Sequence, residues 1–147
     1  MTAKWSKLDK ACFLNVDLDI RSSSDLEPLV SAFGDKVIEM WVGRVRRTYE
    51  AHLELGGSHL KQSPTSIILG FCKLIKALPR SKRKLWDLAK TRSFDVGIAA
   101  PSRNRHFWEV ISSEAVSAAA EVGAQIAITV YGPMRPVKSK MKRGAEL

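Results

Sequence analysis

Alternation of apolar and polar side chains over Cys12–Ile20, CFLNVDLDI, is the feature that most limits how this chain can fold. Successive side chains of a β-strand point to opposite faces, so this period of two is typical of a strand buried on one side only. The chain therefore needs a sheet with one covered face and one open face. The side chains predicted to point inward from this strand are Cys12, Leu14, Val16, Leu18 and Ile20.

Four more strand patterns and four helix patterns follow along the chain. Strands are predicted over KVIEMWVG, TYEAHLEL, SFDVGIAA and AQIAITVY. A short basic turn joins the first two of these, which predicts antiparallel pairing. Helices are predicted to begin near serine capping residues, the first in a capping box with Glu27. Those serines are Ser24, Ser63, Ser81 and Ser112.

The resulting order, β-α-β-β-α-α-β-α-β, predicts the α+β class. The simplest way to bury it is a single five-stranded, mostly antiparallel sheet with helices on one face, in a ferredoxin-like arrangement. Residues 1–131 are predicted to form one domain. Residues 132–147 carry two prolines, scattered lysines and little to bury, so we expect a basic, mobile tail.

The open face of the predicted sheet is acidic. In the second strand Ile38, Met40 and Val42 are predicted to point inward, and the outward positions of all strands follow from alternation. Six of the fifteen acids fall on outward positions, with no lysine or arginine among them. The outward residues are Asn15, Asp17, Asp19, Glu39, Trp41, Glu50, His52, Glu54, Asp95, Gln125, Thr129 and Tyr131.

This acidic face predicts a protein-binding surface. Sorted charge helps to select and orient a partner, whereas carboxylates repel the phosphates of RNA. The same sorting also permits self-association, with the acidic sheet of one copy against the basic helices of another. The residues predicted to bind the partner are Asp17, Asp19, Trp41, Glu50, His52, Glu54 and Tyr131.

A basic run, RSKRKLW, supports a second hypothesis. Between Lys73 and Arg92 there are eight cations and one acid. The run is either a solvated helix start or part of a site for anions or nucleic acid, formed with the basic tail and a cationic loop at SRNRHFW. The cations of that hypothesis are Arg80, Lys82, Arg83, Lys84, Arg103 and Arg105.

A third hypothesis is a metal-dependent enzyme centred on Asp17, Asp19 and His52, whose oxygen and nitrogen atoms are suitable ligands if the strands bring them together. Against it, acids that alternate along an exposed strand usually face solvent. The sequence contains no zinc-ligand spacing, phosphate-binding loop or nucleophile elbow. We therefore predict no catalytic residue and no cofactor.

Composition limits the classes of partner and the cellular compartment that can be predicted for the chain. A net charge of +9 favours polyanions and also serves solubility. No apolar run approaches the roughly 20 residues that cross a bilayer, so no membrane partner is expected. The amino terminus, MTAKWSKLDKACFL, lacks the apolar core of a signal peptide, which favours a cytoplasmic protein.

The segments SFDVGIAA and ISSEAVSAAAEVGAQIAITVY together resemble the closing strand–helix–strand unit of small bacterial domains of unknown function. The resemblance covers about a third of the chain and consists of structural residues. Some domains of that kind are suspected of acting as toxin-immunity or accessory proteins. The resemblance implies an immunity or accessory role. The sorted charges, with Trp41 and Tyr131 on the acidic face, and the lack of a catalytic signature predict a non-enzymatic intracellular binding domain that acts through a protein partner.

Overall fold

The computed structural model describes residues 11–57, 62–100 and 106–133. Its strands are β1 (Cys12–Ser22), β2 (Val37–Val45), β3 (Thr48–Leu55), β4 (Thr91–Ala99) and β5 (Gln125–Tyr131). Its helices are α1 (Glu27–Phe33), α2 (Pro64–Lys76), α3 (Arg80–Leu88) and α4 (Ser113–Glu121), and a 3-10 turn at Gly34–Lys36 follows α1. The predicted α+β class is confirmed. Of the predicted tail, residues 134–147 lie outside the described residues.

The five strands form one mixed sheet in the order β2-β3-β1-β4-β5. Three neighbouring pairs are antiparallel, whereas β5 runs parallel to β4 after the crossover through α4. The single five-stranded sheet is therefore confirmed. The ferredoxin-like arrangement is not confirmed, because the parallel strand makes the sheet mixed, and it stays a prediction.

Local signals place two of the four helix starts as predicted. The side chains of Ser63 and Ser112 accept hydrogen bonds from backbone N–H groups in the first turns of α2 and α4. In each case the donor is the residue three positions after the serine. The other two predicted caps are wrong. In α1 the Asp25 carboxylate, not Ser24, accepts from Glu27 N–H at 3.0 Å. Ser81 lies inside α3, which begins at Arg80 without a side-chain cap.

One core lies between the helices and the sheet. It is built from alternate residues of the strands, such as Val16, Leu18 and Phe94, and from the buried side chains of the four helices. Phe71 of α2 stacks on Phe94 with ring centroids 5.8 Å apart. Trp86 of α3 is fully buried, and its Nε1–H donates to the Val122 carbonyl at 2.8 Å. The helices thus cover one face and leave the other open.

Two β-bulges change which side chains face the core. In β2 the register shifts between Glu39 and Trp41, so that Ile38 lies opposite Glu54 on the open face and Glu39 opposite buried Leu53. The predicted inward positions of Ile38 and Met40, and the outward position of Glu39, are therefore wrong. Met40 lies in the bulge, 57% exposed.

The second bulge lies in β1. The register shifts between Phe13 and Asn15, Phe13 packs against the core, and Leu14 is exposed instead of inward. A bulge inserts one extra residue and reverses the alternation beyond it. Val42 and the rest of β1 from Asn15 to Ile20 keep their predicted sides.

Within the described ranges no helix is long and apolar enough to cross a membrane. The predicted cytoplasmic location and the domain limits stay predictions.

Candidate functional site

The open face of the sheet brings the predicted partner-binding residues onto one surface. Three acids lie side by side on neighbouring strands, because Asp17 of β1 is in register with Glu54 of β3 and with Asp95 of β4. Like charges directly opposite each other in antiparallel strands are destabilising. This row of three carboxylates, which we call the acidic row, is the electrostatic centre of the face.

The surroundings of Asp17 disfavour the charged form of its carboxyl group. Burial, followed by the negative charges of Glu54, Asp19 and Asp95, raises the pKa of the Asp17 carboxyl from 3.8 to about 6. His52 opposes the shift. Asn15 Nδ2 donates to Asp17 Oδ1 at 3.4 Å. At neutral pH the folded protein therefore holds a carboxylate whose charged form is disfavoured by its surroundings.

The row next to it contains the only histidine of the five strands. His52 is in register with Asp19, and its Nδ1 lies 2.7 Å from Asp19 Oδ1, within hydrogen-bond distance of a carboxylate that accepts. The other ring nitrogen, Nε2, lies 3.6 Å from Glu50 Oε1. A histidine that lies between two carboxylates can form a hydrogen bond with a polar group of a partner on the acidic surface.

Trp41 flanks this row at the β2 edge of the sheet. Its ring lies 6.2 Å from the His52 ring, centroid to centroid, at 46°. The indole also lies across Gly43, where an added Cβ would come within 3.0 Å of Trp41 Cη2 and Cζ2. Glycine thus lets the ring lie close to the backbone, which leaves an exposed aromatic surface beside Glu50, the residue opposite Gly43.

The other aromatic residue, Tyr131, lies at the opposite edge. An added Cβ on Gly97 would meet the Tyr131 ring at 3.5 Å and Leu14 at 3.8 Å, so these side chains share one corner of the open face. Between that corner and the acidic row, Thr129 Oγ1 donates to Asp95 Oδ1 at 2.7 Å. The open face therefore has an acidic centre with an exposed aromatic residue at each edge.

Sequence reasoning missed three members of this surface. Ile38 and Leu14 add apolar area to it, and both were hidden by the bulges. Arg21 adds one cation, because β1 extends to Ser22 and places Arg21 opposite Glu50. The expectation of a face without lysine or arginine is wrong at that one position. No spacing within β2 reveals its bulge, because the side that Val37 takes is set by its pairing with Leu55 of β3.

The basic run lies on the other side of the molecule, in the first turns of α3. Arg80, Arg83 and Lys84 line an open depression of about 890 Å³ together with Leu78, Ser81 and Asp87. Arg83 Nε donates to Asp87 Oδ1 at 3.2 Å, one turn further on. That ion pair occupies one of the cations. Lys82 is half-buried, while Arg103 and Arg105 lie outside the described residues.

The loop that leads to α4 exposes a tryptophan. Trp108 is 79% exposed, so it does not fold back onto the core, whereas Phe107 is half-buried. Thr65 of α2 fixes the end of this loop, since its Oγ1 accepts from Ser112 N–H at 2.9 Å and donates to the Val110 carbonyl.

The proposed metal ligands do not form a ligand cluster. Asp19 and His52 meet, but nowhere in the described part of the chain do three or more histidine, cysteine, aspartate or glutamate side chains have a geometry that could hold a metal ion. The metal-dependent hypothesis therefore gains no support from the geometry.

The chain matches no protein-family model, no curated protein and no solved structure. The resemblance of its closing strand–helix–strand unit to small bacterial domains stays a prediction.

Proposed function

We propose that this protein is a binding module that takes a cationic protein partner onto the open face of its sheet. The observation that carries the proposal is the acidic row, whose three carboxylates form no ion pair with a lysine or arginine of the described residues. Among the residues described, the ion pairs of lysine and arginine join Lys76 to Glu121 and Arg83 to Asp87, all of them on helices.

The charge crowding is unfavourable for the folded protein by itself. Neutralising Asp17 would relieve it, so stability gives no reason for five carboxylates on one face of the sheet. Surfaces that serve a function commonly retain arrangements that cost stability. A partner that presents lysine or arginine side chains would supply the missing positive charge and relieve the repulsion on binding.

The aromatic residues add the contact area that charge alone lacks. Tryptophan and tyrosine are enriched at the positions that dominate binding energy in protein interfaces. Trp41 lies beside Glu50 and His52, where an incoming guanidinium or ammonium group could stack on the indole while a carboxylate neutralises it. An immunity or accessory role, implied by the resemblance of the closing unit, would be one setting for such a module.

A basic peptide provides the test, since a protein of net charge +9 should repel it unless the local field of the sheet dominates. We expect a lysine- and arginine-rich peptide to bind in isothermal titration at low salt. The sheet variant Asp17→Asn, Asp19→Asn, Glu50→Gln, Glu54→Gln should lose affinity by about tenfold or more, since each exposed charge pair contributes roughly 0.2–1 kcal/mol.

A matched control separates the effect of losing the acidic surface from the effect of changing the net charge. The variant Glu27→Gln, Asp35→Asn, Glu109→Gln, Glu114→Gln neutralises four exposed acids that lie off the sheet. It has the same net charge as the sheet variant and should bind the peptide nearly as well as the wild type. Equal loss in both variants, or no binding by the wild type, would contradict the proposal.

Anion or nucleic-acid binding at α3 is the second candidate. The cation-lined depression at Arg80, Arg83 and Lys84 favours it. Binding of single- or double-stranded nucleic acid that falls steeply with salt and disappears in Arg80→Glu, Lys84→Glu would support this candidate. The sheet variant should leave such binding intact.

A further inference from the structure

The two edges of the sheet differ in how they are protected. Strand β5 pairs with β4 along its whole length, from Ser93–Gln125 to Ala99–Tyr131, with no register shift. In the described part of the chain no strand pairs with its other side. Exposed edges normally carry charges, prolines or bulges that prevent pairing with another chain.

Strand β5 has none of these protections. Its sequence, QIAITVY, contains no charged residue and no proline. Strand β2, at the other edge, carries Glu39 and Arg44, a glycine and a bulge. The backbone groups on the free side of β5 are therefore arranged to accept a further strand, and those of β2 are not.

The exposure of the β5 side chains also indicates that this edge can accept a further strand. Ile128 is 62% and Val130 60% exposed, although they are in register with Val96 and Ile98 on the helix-covered face. The helices thus stop short of this edge. Large apolar side chains on an edge strand without charge form a surface that becomes stable when a strand covers it.

We propose that the occupant is a second copy of this chain, which pairs β5 with β5 in antiparallel fashion around a twofold axis at Ile128. This register places Ile128 against Ile128 and Ile126 against Val130, so the exposed apolar side chains meet on the helix side. On the open side Ala127 lies opposite Thr129. A twofold interface must be complementary to itself, and a strand without charge meets that condition in either direction.

In the competing registers the apolar side chains of β5 are opposed less completely. If the axis lay at Ala127, Ile128 would face Ile126 and Val130 would face Ala124, which leaves the exposed valine beside a small side chain. An axis at Thr129 would set Ile128 against Val130, but it would leave Ile126 opposite Gly132 and Gln125 opposite Pro133. Centring the pair on Ile128 is the choice that pairs all seven residues of β5 and sets Ile126, Ile128 and Val130 against apolar side chains of similar size.

The dimer has a consequence for the open face. Antiparallel addition continues the sheet, and its twofold axis runs perpendicular to the sheet plane. Residues of the same face therefore stay on the same side in both copies, which gives ten strands with two acidic rows facing one way. This differs from self-association of an acidic sheet with basic helices.

The expected affinity is modest. One strand of seven residues from each copy makes an interface at the small end of the range, below about 1,200 Å² in total, where association is weak and transient. We expect a monomer–dimer equilibrium in the micromolar range.

Sedimentation equilibrium of the full chain tests the proposal. The variants Ile128→Lys and Val130→Lys place a charge on the proposed axis or beside it, and neither side chain is in the buried core. Each should weaken dimerisation at least tenfold, with the melting temperature little changed. Met40→Lys, at the protected edge and similarly exposed, is the matched control and should dimerise like the wild type.

A cross-link tests the register. Opposed residues of antiparallel strands have Cα atoms about 4.5–5.5 Å apart, within the range that a disulfide spans. In a background of Cys12→Ser and Cys72→Ala, Ile128→Cys should form a disulfide-linked dimer on mild oxidation, and Met40→Cys should not.

Three results would overturn the proposal: a wild type that stays monomeric up to near-millimolar concentration, a dimer that Ile128→Lys leaves unchanged, and a dimer that Met40→Lys weakens equally. The first would leave the free edge to a different partner or to another segment of the chain, and the other two would place the interface elsewhere.

Discussion

The two faces of one sheet, built from alternate residues of the same strands, follow opposite physical rules. On the covered face Leu18 and Phe94 are fully buried and each apolar contact stabilises the fold. On the open face Asp17 lies between Glu54 and Asp95, where each added charge works against the fold. The difference shows that the core explains why the chain folds but does not explain the acidic row.

A surface that the fold does not need is most simply explained by what it binds. The acidic centre and the aromatic residues at its two edges, Trp41 and Tyr131, match the needs of a cationic partner. The basic first turns of α3 lie on the other side of the molecule, so the two charges do not neutralise each other within one copy.

The largest effect is expected on the covered face. Phe94→Ala removes a fully buried ring that stacks on Phe71, and it should lower the free energy of unfolding by about 3–5 kcal/mol. Tyr131→Ala, which truncates an exposed aromatic residue on the other face, should lower it by less than about 1 kcal/mol. Urea denaturation measures both. Similar losses of unfolding free energy in the two variants would show that the two faces contribute equally to stability.

The sequence alone predicted which side chains from Val16 to Ile20 face the core, because a clean period of two leaves no choice of side. It was sufficient for α2 and α4 as well, since a serine cap followed by an apolar helical pattern fixes the helix start within a residue. These features are local.

Sequence was insufficient where the outcome depends on a neighbouring strand. The bulges at Met40 and Leu14 are set by pairing with β3 and β4, so the reversal of Ile38 and Glu39 was not visible in β2 alone. Nor does a strand's own sequence say whether it lies at an edge, and the exposure of Ile128 and Val130 follows from that position. Only the absence of charge in β5 was visible beforehand.

An intermediate effect is expected on the open face, with the opposite sign. The pKa of Asp17 in the folded protein, about 6, lies above the value of 3.8 for the free side chain. Between those values the folded protein binds more protons than the unfolded chain, so the contribution of Asp17 to stability falls as pH rises towards and through 6. Asp17→Asn should therefore raise the free energy of unfolding at pH 8 by about 1–2 kcal/mol, after allowance for solvent screening.

The pH dependence supplies the control for that variant. The difference between Asp17→Asn and the wild type should shrink as the pH falls through 6 and approach zero only below 3.8, where the Asp17 carboxyl is neutral in both the folded and the unfolded chain. Asp35→Asn, which removes an exposed carboxylate in the turn after α1 and away from the acidic row, is the matched control variant. Urea denaturation across this pH range measures both, and a destabilised Asp17→Asn at pH 8 would be inconsistent with charge crowding.

The smallest effect is expected at Trp41. In Gly43→Ala the new methyl group requires the indole to move, because it would lie 3.0 Å from two ring atoms. Affinity for the basic peptide should fall about two- to fivefold, the size of an exposed cation–π contact, with stability changed by no more than about 0.5 kcal/mol. Gly132→Ala, whose methyl group meets no atom within 4 Å, is the control. An unchanged Trp41 indole NMR signal and unchanged affinity would exclude a role for the ring position.

The most direct test compares stability and binding in the sheet variant Asp17→Asn, Asp19→Asn, Glu50→Gln, Glu54→Gln. We predict that its free energy of unfolding at pH 8 is equal to or higher than that of the wild type while its affinity for the basic peptide falls by about tenfold or more. A variant that is clearly destabilised and still binds the peptide would show that these carboxylates support the fold, and the account would be wrong.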